Sequence, residues 1–206
     1  MKYSTEQEEF WAGEFGDQYI GRNESVAYLA SNLHFFSKVL KYVGKPESLI
    51  EFGANIGMNL KAIKQLYPGI HVHGVEINEK AAQILKSNIG EENVSSCSIF
   101  EYKSDQVFDV VLIKGVLIHI NPARLRDVYQ QLYDAASKYI LLCEYYNPSP
   151  VTIPYRGNTE RLFKRDFAGE MLDTYDDLVL VDYGFVYKRD PSFPQDDVTW
   201  FLLKKN

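Results

Sequence analysis

The sequence of 206 residues contains only two cysteines and no long apolar run. Cys97 and Cys143 both lie in apolar, strand-like runs, so we expect reduced, buried thiols in a cytoplasmic protein rather than a disulfide framework. No apolar stretch approaches the roughly 20 residues that a membrane-spanning helix needs. The printed sequence starts with the polar and acidic segment MKYSTEQEEFW, which does not have the pattern of a signal peptide.

Positive charge is also scarce. The chain has 22 lysines and arginines against 28 aspartates and glutamates, which gives a net charge of −6. Because nucleic-acid affinity depends largely on neutralising phosphates, we expect a small-molecule partner rather than a nucleic acid. His71 and His73 alternate on one apolar run without cysteine or carboxylate partners at ligand spacing, so we predict no metal site. The sequence leaves the oligomeric state open.

Short apolar runs alternate with helical patterns through the middle of the chain. Strands are predicted at SLIEF, IHVHGVE, VSSCSI, FDVVLI and YILLCEYY, and helices follow the first, second and fourth of them. This alternation predicts an α/β fold with a parallel, doubly wound sheet and helices on both faces. Two further runs, DLVLVDYGFVYKR and DVTWFLLKK, are separated by DPSFPQD, which is too short and proline-rich for a crossover helix. We therefore expect the last two strands to be antiparallel neighbours.

The first 44 residues are predicted to be helical. Thr5 and Glu8 have the pattern of a capping box and open a helix that continues to about Tyr19. Ser25 can cap a second helix that ends at Gly44. The segment EFWAGEFGDQYIGRN mixes aromatic residues with glycines, which suits either a cap over a cofactor or packing against the sheet edge. We expect one domain over residues 1–206, with an N-terminal helical cap (1–44), a cofactor-binding core (45–146) and a substrate loop with the antiparallel C-terminal strands (147–206).

A glycine turn follows the first predicted strand, in the segment LIEFGANIGMNLKAI. Gly53 allows a sharp turn and the approach of a ligand to the backbone, and Gly57 allows the next helix to pack closely against the sheet. Asn55 stands where a second glycine is common, and asparagine tolerates the left-handed conformation better than most residues. Glu76 ends the second strand, where a carboxylate accepts hydrogen bonds from ribose hydroxyls. The turn and Glu76 together predict a nucleotide cofactor at this edge of the sheet.

Two cofactors compete for this turn, a nicotinamide dinucleotide and S-adenosylmethionine. A dinucleotide pyrophosphate requires a clear helix N-terminus and the full glycine fingerprint. Glu51 lies just before Gly53, where its carboxylate repels a pyrophosphate but suits the ammonium of a methionine moiety. The antiparallel end of the sheet also disfavours the dinucleotide fold, so S-adenosylmethionine is the favoured cofactor.

Several segments resemble a known family. EFGANIGMN, GVEIN and FDVVLIKGVLIHINP resemble motifs of the class I S-adenosylmethionine-dependent methyltransferases, over roughly residues 48–146, and VTWFLLKK resembles that family's last, antiparallel strand. The N-terminal TEQEEFWAGEFGDQYIGRN, together with GANIGMNL and GVEINEKAA, is similar to the pseudaminic acid biosynthesis-associated methylases. The resemblance implies a Rossmann-like sheet of seven strands with the last antiparallel, and a methyltransferase that acts in surface-sugar biosynthesis.

The resemblance also assigns residues to the cofactor. It implies that Glu51 and Gly53 line the methionine end, that Glu76 binds the ribose, and that Lys114 and Gly115 flank the sulfonium. Adenine contacts are implied for the residues after the second and third strands. The implied cofactor-binding set is Glu51, Gly53, Asn55, Gly57, Glu76, Ile77, Ser98, Ile99, Lys114 and Gly115.

Candidates for the chemistry lie after the fourth and fifth strands. His119 is a candidate general base or acceptor contact, and the alternative is a loop histidine packed against the start of a helix. Glu144 and Tyr145 end the fifth strand and are the other catalytic candidates, with a strand-end ion pair as the alternative for Glu144.

The segment YYNPSPVTIPYRGNTERLFKRDF is rich in proline, tyrosine and arginine. It suits a substrate loop in which Tyr155, Arg156 and Arg161 bind the acceptor, because arginines bind carboxylates and phosphates bidentately. An ordinary solvated loop is the alternative. The leading hypothesis is an enzyme that N- or O-methylates a small acidic metabolite, such as a pseudaminic-type nonulosonic sugar or its nucleotide-activated form. The alternatives are an NAD-dependent oxidoreductase and a non-catalytic cofactor-binding protein.

Overall fold

The structure is a computed structural model that describes residues 3–22, 24–104 and 106–206, without the side chain of Arg22. Within these residues, helices and strands alternate along the chain. The helices are α1 (Glu6–Ala12), α2 (Glu14–Tyr19), α3 (Val26–Val39), α4 (Met58–Leu66), α5 (Glu79–Ile89), α6 (Leu125–Ala135) and α7 (Phe167–Thr174). The strands are β1 (Ser48–Phe52), β2 (His71–Val75), β3 (Val94–Ser95), β4 (Phe108–Lys114), β5 (Ala136–Glu144), β6 (Val151–Tyr155), β7 (Asn158–Lys164), β8 (Leu178–Val186) and β9 (Val198–Lys205).

Seven of the described strands form one sheet, in the order β3-β2-β1-β4-β5-β9-β8. Strands β1 to β5 are parallel, and β9 runs antiparallel to both of its neighbours, β5 and β8. The predicted fold, a doubly wound sheet whose last strand is antiparallel, is therefore confirmed. Strand order reverses between β1 and β4, so the carboxyl ends of these two strands open a crevice at the position where ligands bind in such sheets.

Helices cover both faces of the sheet because each helix buries one apolar stripe. On one face, α3, α4 and α5 bury Phe36, Leu60 and Leu85. On the other, α6 and α7 bury Leu132 and Met171. Central strand β4 contributes to both layers, which explains its continuous apolar run VVLI (residues 110–113).

The predicted helix starts are confirmed, and one helix is shorter than expected. Thr5 and Glu8 form the full capping box of α1, and Ser25 accepts a hydrogen bond from the Tyr28 amide at the start of α3. The predicted continuous helix to Tyr19 is wrong, because the chain is extended at Gly13 (φ −95°, ψ −156°) and a second helix begins there. The glycine separates α1 from α2 and lets them pack against each other.

The proline-, tyrosine- and arginine-rich segment after β5 contains a hairpin that we did not expect. Strands β6 and β7 pair in antiparallel register with Tyr155 opposite Asn158. Arg156 and Gly157 between them both have positive φ (51° and 83°), which is the geometry of a type I′ hairpin turn. The segment was predicted as a loop without strands, and the hairpin was missed because Asn, Asp or Gly usually occupies the turn position that Arg156 holds here.

No helix among the described residues combines the length and the apolar character needed to cross a membrane.

Candidate active site

A cavity of about 300 Å³ lies at the carboxyl ends of β1, β2 and β4. Its walls come from the turns after these strands, from α1 and α2, from the hairpin β6–β7 and from the loop between β8 and β9. The lining includes Glu8, Trp11, Tyr19, Tyr28, Gly53, Asn55, Asn59, Glu76, Ile77, Ser98, Ile99, Lys114, Gly115, His119, Tyr145, Tyr155, Arg156 and Asp196.

The turn after β1 has the conformation that its sequence requires. Gly53, Asn55 and Gly57 have φ values of 74°, 49° and 83°, so Asn55 occupies the left-handed region in place of a second glycine. A Cβ on Gly53 would lie 2.4 Å from a methyl group of Val116. A Cβ on Gly57 would lie 2.5 Å from Leu85 of α5, so Gly57 serves helix packing and does not line the cavity.

Glu76 joins this turn to the start of α5. Its two carboxylate oxygens accept hydrogen bonds from the backbone amides of Asn55 (2.7 Å) and Asn78 (2.8 Å). The side chain is 8% exposed and lies on the cavity wall. Burial raises the pKa of Glu76, although the backbone amides oppose the shift. The carboxylate is thus held in one orientation with its remaining acceptor capacity toward the cavity.

Glu51 lies behind the cavity wall and contacts it through Asn59. One Glu51 oxygen accepts a hydrogen bond from the Asn59 side-chain amide (2.6 Å). Among the described residues, the other oxygen has no partner, and neither has the Asn59 side-chain oxygen, although both are buried. Burial raises the pKa of Glu51 to about 8, opposed by the Asn59 hydrogen bond and the charge of Lys114. Two buried oxygens without hydrogen-bond partners mark this corner as a place for a polar group of a ligand, and a cationic group there would favour the ionised form of Glu51.

Lys114 and Gly115 line the same end of the cavity at the end of β4. The Lys114 ammonium donates a hydrogen bond to the Tyr28 phenol oxygen at 3.2 Å. Ile77, Ser98 and Ile99 line the opposite side, after β2 and β3. Of the ten residues implied for the cofactor, the structure therefore brings eight to the cavity wall, with Glu51 directly behind it and Gly57 against α5.

Helices α1 and α2 lie over the cavity and form part of its wall. The Ser98 hydroxyl donates a hydrogen bond to Glu8 of α1, and the Asn78 side chain donates one to Asp17 of α2 (3.0 Å). A Cβ on Gly16 would lie 1.9 Å from the carbonyl oxygen of Trp11, so the close packing of the two helices depends on a glycine there. Of the two interpretations of this segment, the structure supports the cap.

His119 lies in the short helical turn after β4 and is 7% exposed. Its Nδ1 lies 2.5 Å from the Arg161 carbonyl oxygen. Because a carbonyl only accepts hydrogen bonds, Nδ1 carries the proton and Nε2 keeps a lone pair. The ring lies between Trp11 and Tyr155, with centroid distances of 4.6 and 5.0 Å. Burial lowers the pKa of His119 to about 4, partly opposed by the hydrogen bond to Arg161.

Glu144 holds the turn that carries His119. Its carboxylate accepts hydrogen bonds from the backbone amides of Val116 and Leu117 (3.0 Å each) and of Ile118 (3.4 Å). Burial raises the pKa of Glu144 to about 7, against these three hydrogen bonds. Glu144 does not line the cavity, whereas its neighbour Tyr145 does.

The structure separates the arginines that we expected to act together. Arg156 lines the cavity at the tip of the hairpin. Arg161 lies outside the wall, where its guanidinium pairs with Glu6 of α1 at 3.2 Å and lies over the Phe10 ring. The expectation of a joint acceptor site is corrected for Arg161, because its side chain is engaged by the cap.

Residues that the sequence did not point to complete the cavity wall. Trp11, Tyr19 and Tyr28 come from the N-terminal helices, and Asp196 comes from the loop between β8 and β9. The aromatic residues interleaved with glycines in FWAGEFGDQY were the available signal for Trp11 and Tyr19. Nothing local in the sequence distinguishes Asp196 from the aspartate that follows it.

Known proteins resemble this chain in part of its sequence and in its fold. Residues 50–138 match the family model described as a methyltransferase domain. No curated protein matches the chain by sequence. A structure of Burkholderia thailandensis 1,6-didemethyltoxoflavin-N1-methyltransferase, with its substrate and S-adenosylhomocysteine bound, is similar with a TM-score of 0.70 at 16% identity, over 97% of this chain and 87% of that one.

Two further structures have the same fold. Magnesium protoporphyrin IX methyltransferase from Synechocystis PCC 6803, with bound S-adenosylhomocysteine, has a TM-score of 0.71 at 13% identity, over 97% of each chain. The plantazolicin methyltransferase BpumL, also with S-adenosylhomocysteine, has a TM-score of 0.66 at 14% identity, over 97% of this chain and 94% of that one. The similar structures show that the chain has the class I methyltransferase fold, and residues 50–138 within it match the methyltransferase domain model.

Proposed function

We propose that the protein transfers a methyl group from S-adenosylmethionine to a small acidic metabolite. The observation that carries the proposal is that one continuous cavity joins Glu76 and the turn after β1 to His119 and Arg156. Methyl transfer is an in-line displacement, so a cofactor and an acceptor must meet in a single enclosed space. An NAD-dependent oxidoreductase is not favoured, because the matching family model is that of a methyltransferase domain.

The residues at the β1–β2 end fit S-adenosylmethionine. The unpaired oxygens of Glu51 and Asn59 suit the methionine ammonium, and Glu76 suits the ribose hydroxyls. Gly53 lines the cavity, and its lack of a Cβ avoids a clash with Val116 on the same wall. The similar structures that contain S-adenosylhomocysteine support the same cofactor. When bound, this cofactor supplies an activated methyl group, and the protein has to position the acceptor and exclude water.

His119 is the proposed general base. Its Nε2 lone pair is available because Nδ1 donates to the Arg161 carbonyl, and its low pKa keeps the ring neutral at physiological pH. It would accept the proton of the acceptor hydroxyl or amine as the methyl group is transferred. We assign Glu144 to positioning rather than to proton transfer, since its carboxylate is occupied by the amides of residues 116–118.

An acidic acceptor is proposed from the position of Arg156 and from the aromatic walls. Arg156 lines the cavity and can bind a carboxylate or phosphate, while Tyr145 and Tyr155 offer ring faces and phenol groups to a polyhydroxylated molecule. The similarity to pseudaminic acid biosynthesis-associated methylases supports a nonulosonic sugar or its nucleotide-activated form.

The two free cysteines support the cytoplasm as the compartment.

Labelled methyl transfer tests the proposal. The protein is incubated with S-adenosylmethionine carrying a labelled methyl group and with nonulosonic acids, their nucleotide conjugates, tRNA or protein extract. We expect label in at least one acidic sugar, and a large loss of that labelling in Arg156→Gln but not in Arg126→Gln, an exposed arginine on α6. Label in tRNA or protein with none in the sugars would reject the acceptor class.

Calorimetry with S-adenosylhomocysteine and NADH separates the two cofactors, and we expect 1:1 binding of the first only.

A further inference from the structure

Two consecutive aspartates in the loop between β8 and β9 have different surroundings. Asp197 accepts a hydrogen bond from the Lys188 backbone amide (3.0 Å) and pairs with the Lys188 ammonium (3.3 Å), which closes the base of the loop. Asp196 lines the cavity instead. Among the described side chains, which exclude that of Arg22, the Asp196 carboxylate has no hydrogen bond or ion pair, whereas Asp197 holds the loop.

The loop that carries Asp196 is fixed to α3 at two points. The side-chain amide of Gln195 donates a hydrogen bond to the Asn32 side-chain oxygen (2.8 Å), and both residues are buried. The Phe193 ring stacks on His34 with a centroid distance of 4.4 Å and an interplanar angle of 8°. Because an unsatisfied buried amide is costly, these contacts fix the loop at Gln195 and thereby the backbone of its neighbour Asp196. The backbone of Asp196 is therefore fixed at the cavity wall, and its exposed carboxylate is free to meet a ligand.

The neighbours of Asp196 in the cavity are phenol rings. Tyr145, Tyr155 and Tyr19 line the same region. The pKa of the Tyr145 phenol is raised first by burial and then by the charge of Asp196, which is consistent with their proximity. A carboxylate beside aromatic faces attracts a cation through both its charge and the ring quadrupoles. Arg156 also lines the cavity, and no ion pair joins it to Asp196 among the described residues.

We propose that Asp196 binds a protonated amine of the acceptor, while Arg156 binds its anionic group. The inference rests on the proposed function and narrows its substrate class to molecules that carry both an ammonium and a carboxylate or phosphate. The amine bound by Asp196 is a recognition group and not the methylated atom, because a protonated amine has no lone pair to attack a sulfonium. Asp196 is thus a specificity-determining residue on the part of the cavity wall that the loop between β8 and β9 supplies.

Matched sets of acidic sugars test this assignment. Each set contains one sugar acid or sugar phosphate with a free amine, an acetamide or a hydroxyl at the same carbon, and kcat/KM is measured by labelled methyl transfer. We expect the wild-type protein to prefer the free amine by about tenfold, because a charge-assisted hydrogen bond is lost in the other two. Asp196→Asn should remove most of this preference. Asp197→Asn should keep it, and the ratio within each variant cancels any loss of folded protein.

A preference for the free amine that survives in Asp196→Asn would overturn the inference. Labelling of the three members at equal rates by the wild-type protein would do the same. If no member of any set is labelled while S-adenosylhomocysteine still binds, both the acidic acceptor class and the role of Asp196 are rejected, and the cofactor assignment stands. If S-adenosylhomocysteine itself does not bind, the proposed methyltransferase function is rejected, and the role of Asp196 is rejected with it.

Discussion

The two ends of the cavity are built in different ways. The cofactor end consists of turns that directly follow β1, β2 and β4, and its geometry is set by local features such as the positive φ of Gly53 and Asn55. The acceptor end is assembled from segments that are distant in the sequence, as Trp11, His119 and Asp196 illustrate. The first end can be recognised from short motifs, and the second depends on how the whole chain packs.

Removal of the proposed base should give the largest effect and should affect the acceptor end alone. We expect His119→Ala to lower turnover about 100-fold or more, because general-base assistance contributes on this scale. The cofactor affinity, measured by calorimetry with S-adenosylhomocysteine, should stay near the wild-type value. Added imidazole should restore part of the activity if the lone pair of Nε2 is what matters. Full activity in the variant would show that His119 only packs between Trp11 and Tyr155.

The converse change removes a cofactor contact. Glu76→Ala should weaken the binding of S-adenosylmethionine at least tenfold, since hydrogen bonds to a charged acceptor contribute about 1.5–3 kcal/mol each. The KM for the acceptor at saturating cofactor should hardly change. Because Glu76 also accepts the Asn55 and Asn78 amides, the melting temperature of the ligand-free variant serves as the control. A loss of stability with unchanged affinity would leave Glu76 a purely structural role.

The contrast between the two ends explains what the sequence could predict. The sheet was predictable because its strands are apolar runs and its helices start at local caps, as with Thr5 and Ser25. The turn after β1 was predictable because a left-handed conformation restricts the residue type at each position. In the structure, eight of the ten residues that we assigned to the cofactor lie on the cavity wall.

The acceptor end was less predictable for physical reasons. The hairpin β6–β7 was missed because its turn uses Arg156 in a left-handed conformation, which a non-glycine residue adopts at some cost. The side chain of Arg161 pairs with Glu6, a residue about 150 positions away, and no local pattern encodes such a contact. Glu144 was expected near the chemistry, but its buried carboxylate is occupied by backbone amides that only the folded chain brings to it.

A pH measurement should isolate the cofactor end. The pKa of Glu51 is about 8, so the carboxyl is largely protonated at neutral pH. The methionine ammonium favours the ionised form, so binding should release a proton, and affinity should rise severalfold as the pH increases from about 6.5 to 8, where the ligand's amine is still largely protonated. Calorimetry in buffers with different ionisation enthalpies measures the proton release. Glu51→Gln should make the affinity independent of pH in this range.

The same raised pKa predicts the opposite trend for the ligand-free protein. An unfolded glutamate ionises near pH 4.5, whereas folded Glu51 stays protonated up to about pH 8. The folded state therefore binds more protons between these values, and the stability that this group contributes is lost as the pH rises through that window. Affinity and ligand-free stability should thus change in opposite directions with pH, and parallel changes would exclude Glu51 as their cause.

The smallest expected effect concerns the link between the cap and the hairpin. Glu6 and Arg161 form an ion pair at 3.2 Å, but the Glu6 side chain is 78% exposed, so solvent screens the interaction. A double-mutant cycle with Glu6→Gln and Arg161→Gln should give a coupling of less than about 1 kcal/mol in the KM of the acceptor. Raising the ionic strength should reduce it further.

Measuring this coupling in both the acceptor KM and the cofactor affinity tests whether the two ends of the cavity are independent. The Arg161 carbonyl accepts the hydrogen bond that orients His119, so disturbing the Arg161 side chain should be felt where the acceptor binds. The cofactor affinity should not respond, because Glu76 and Asn59 are held by contacts that do not involve the hairpin. A coupling of equal size in the cofactor affinity would mean that the cap transmits strain to both ends, and the division of the cavity would then have to be abandoned.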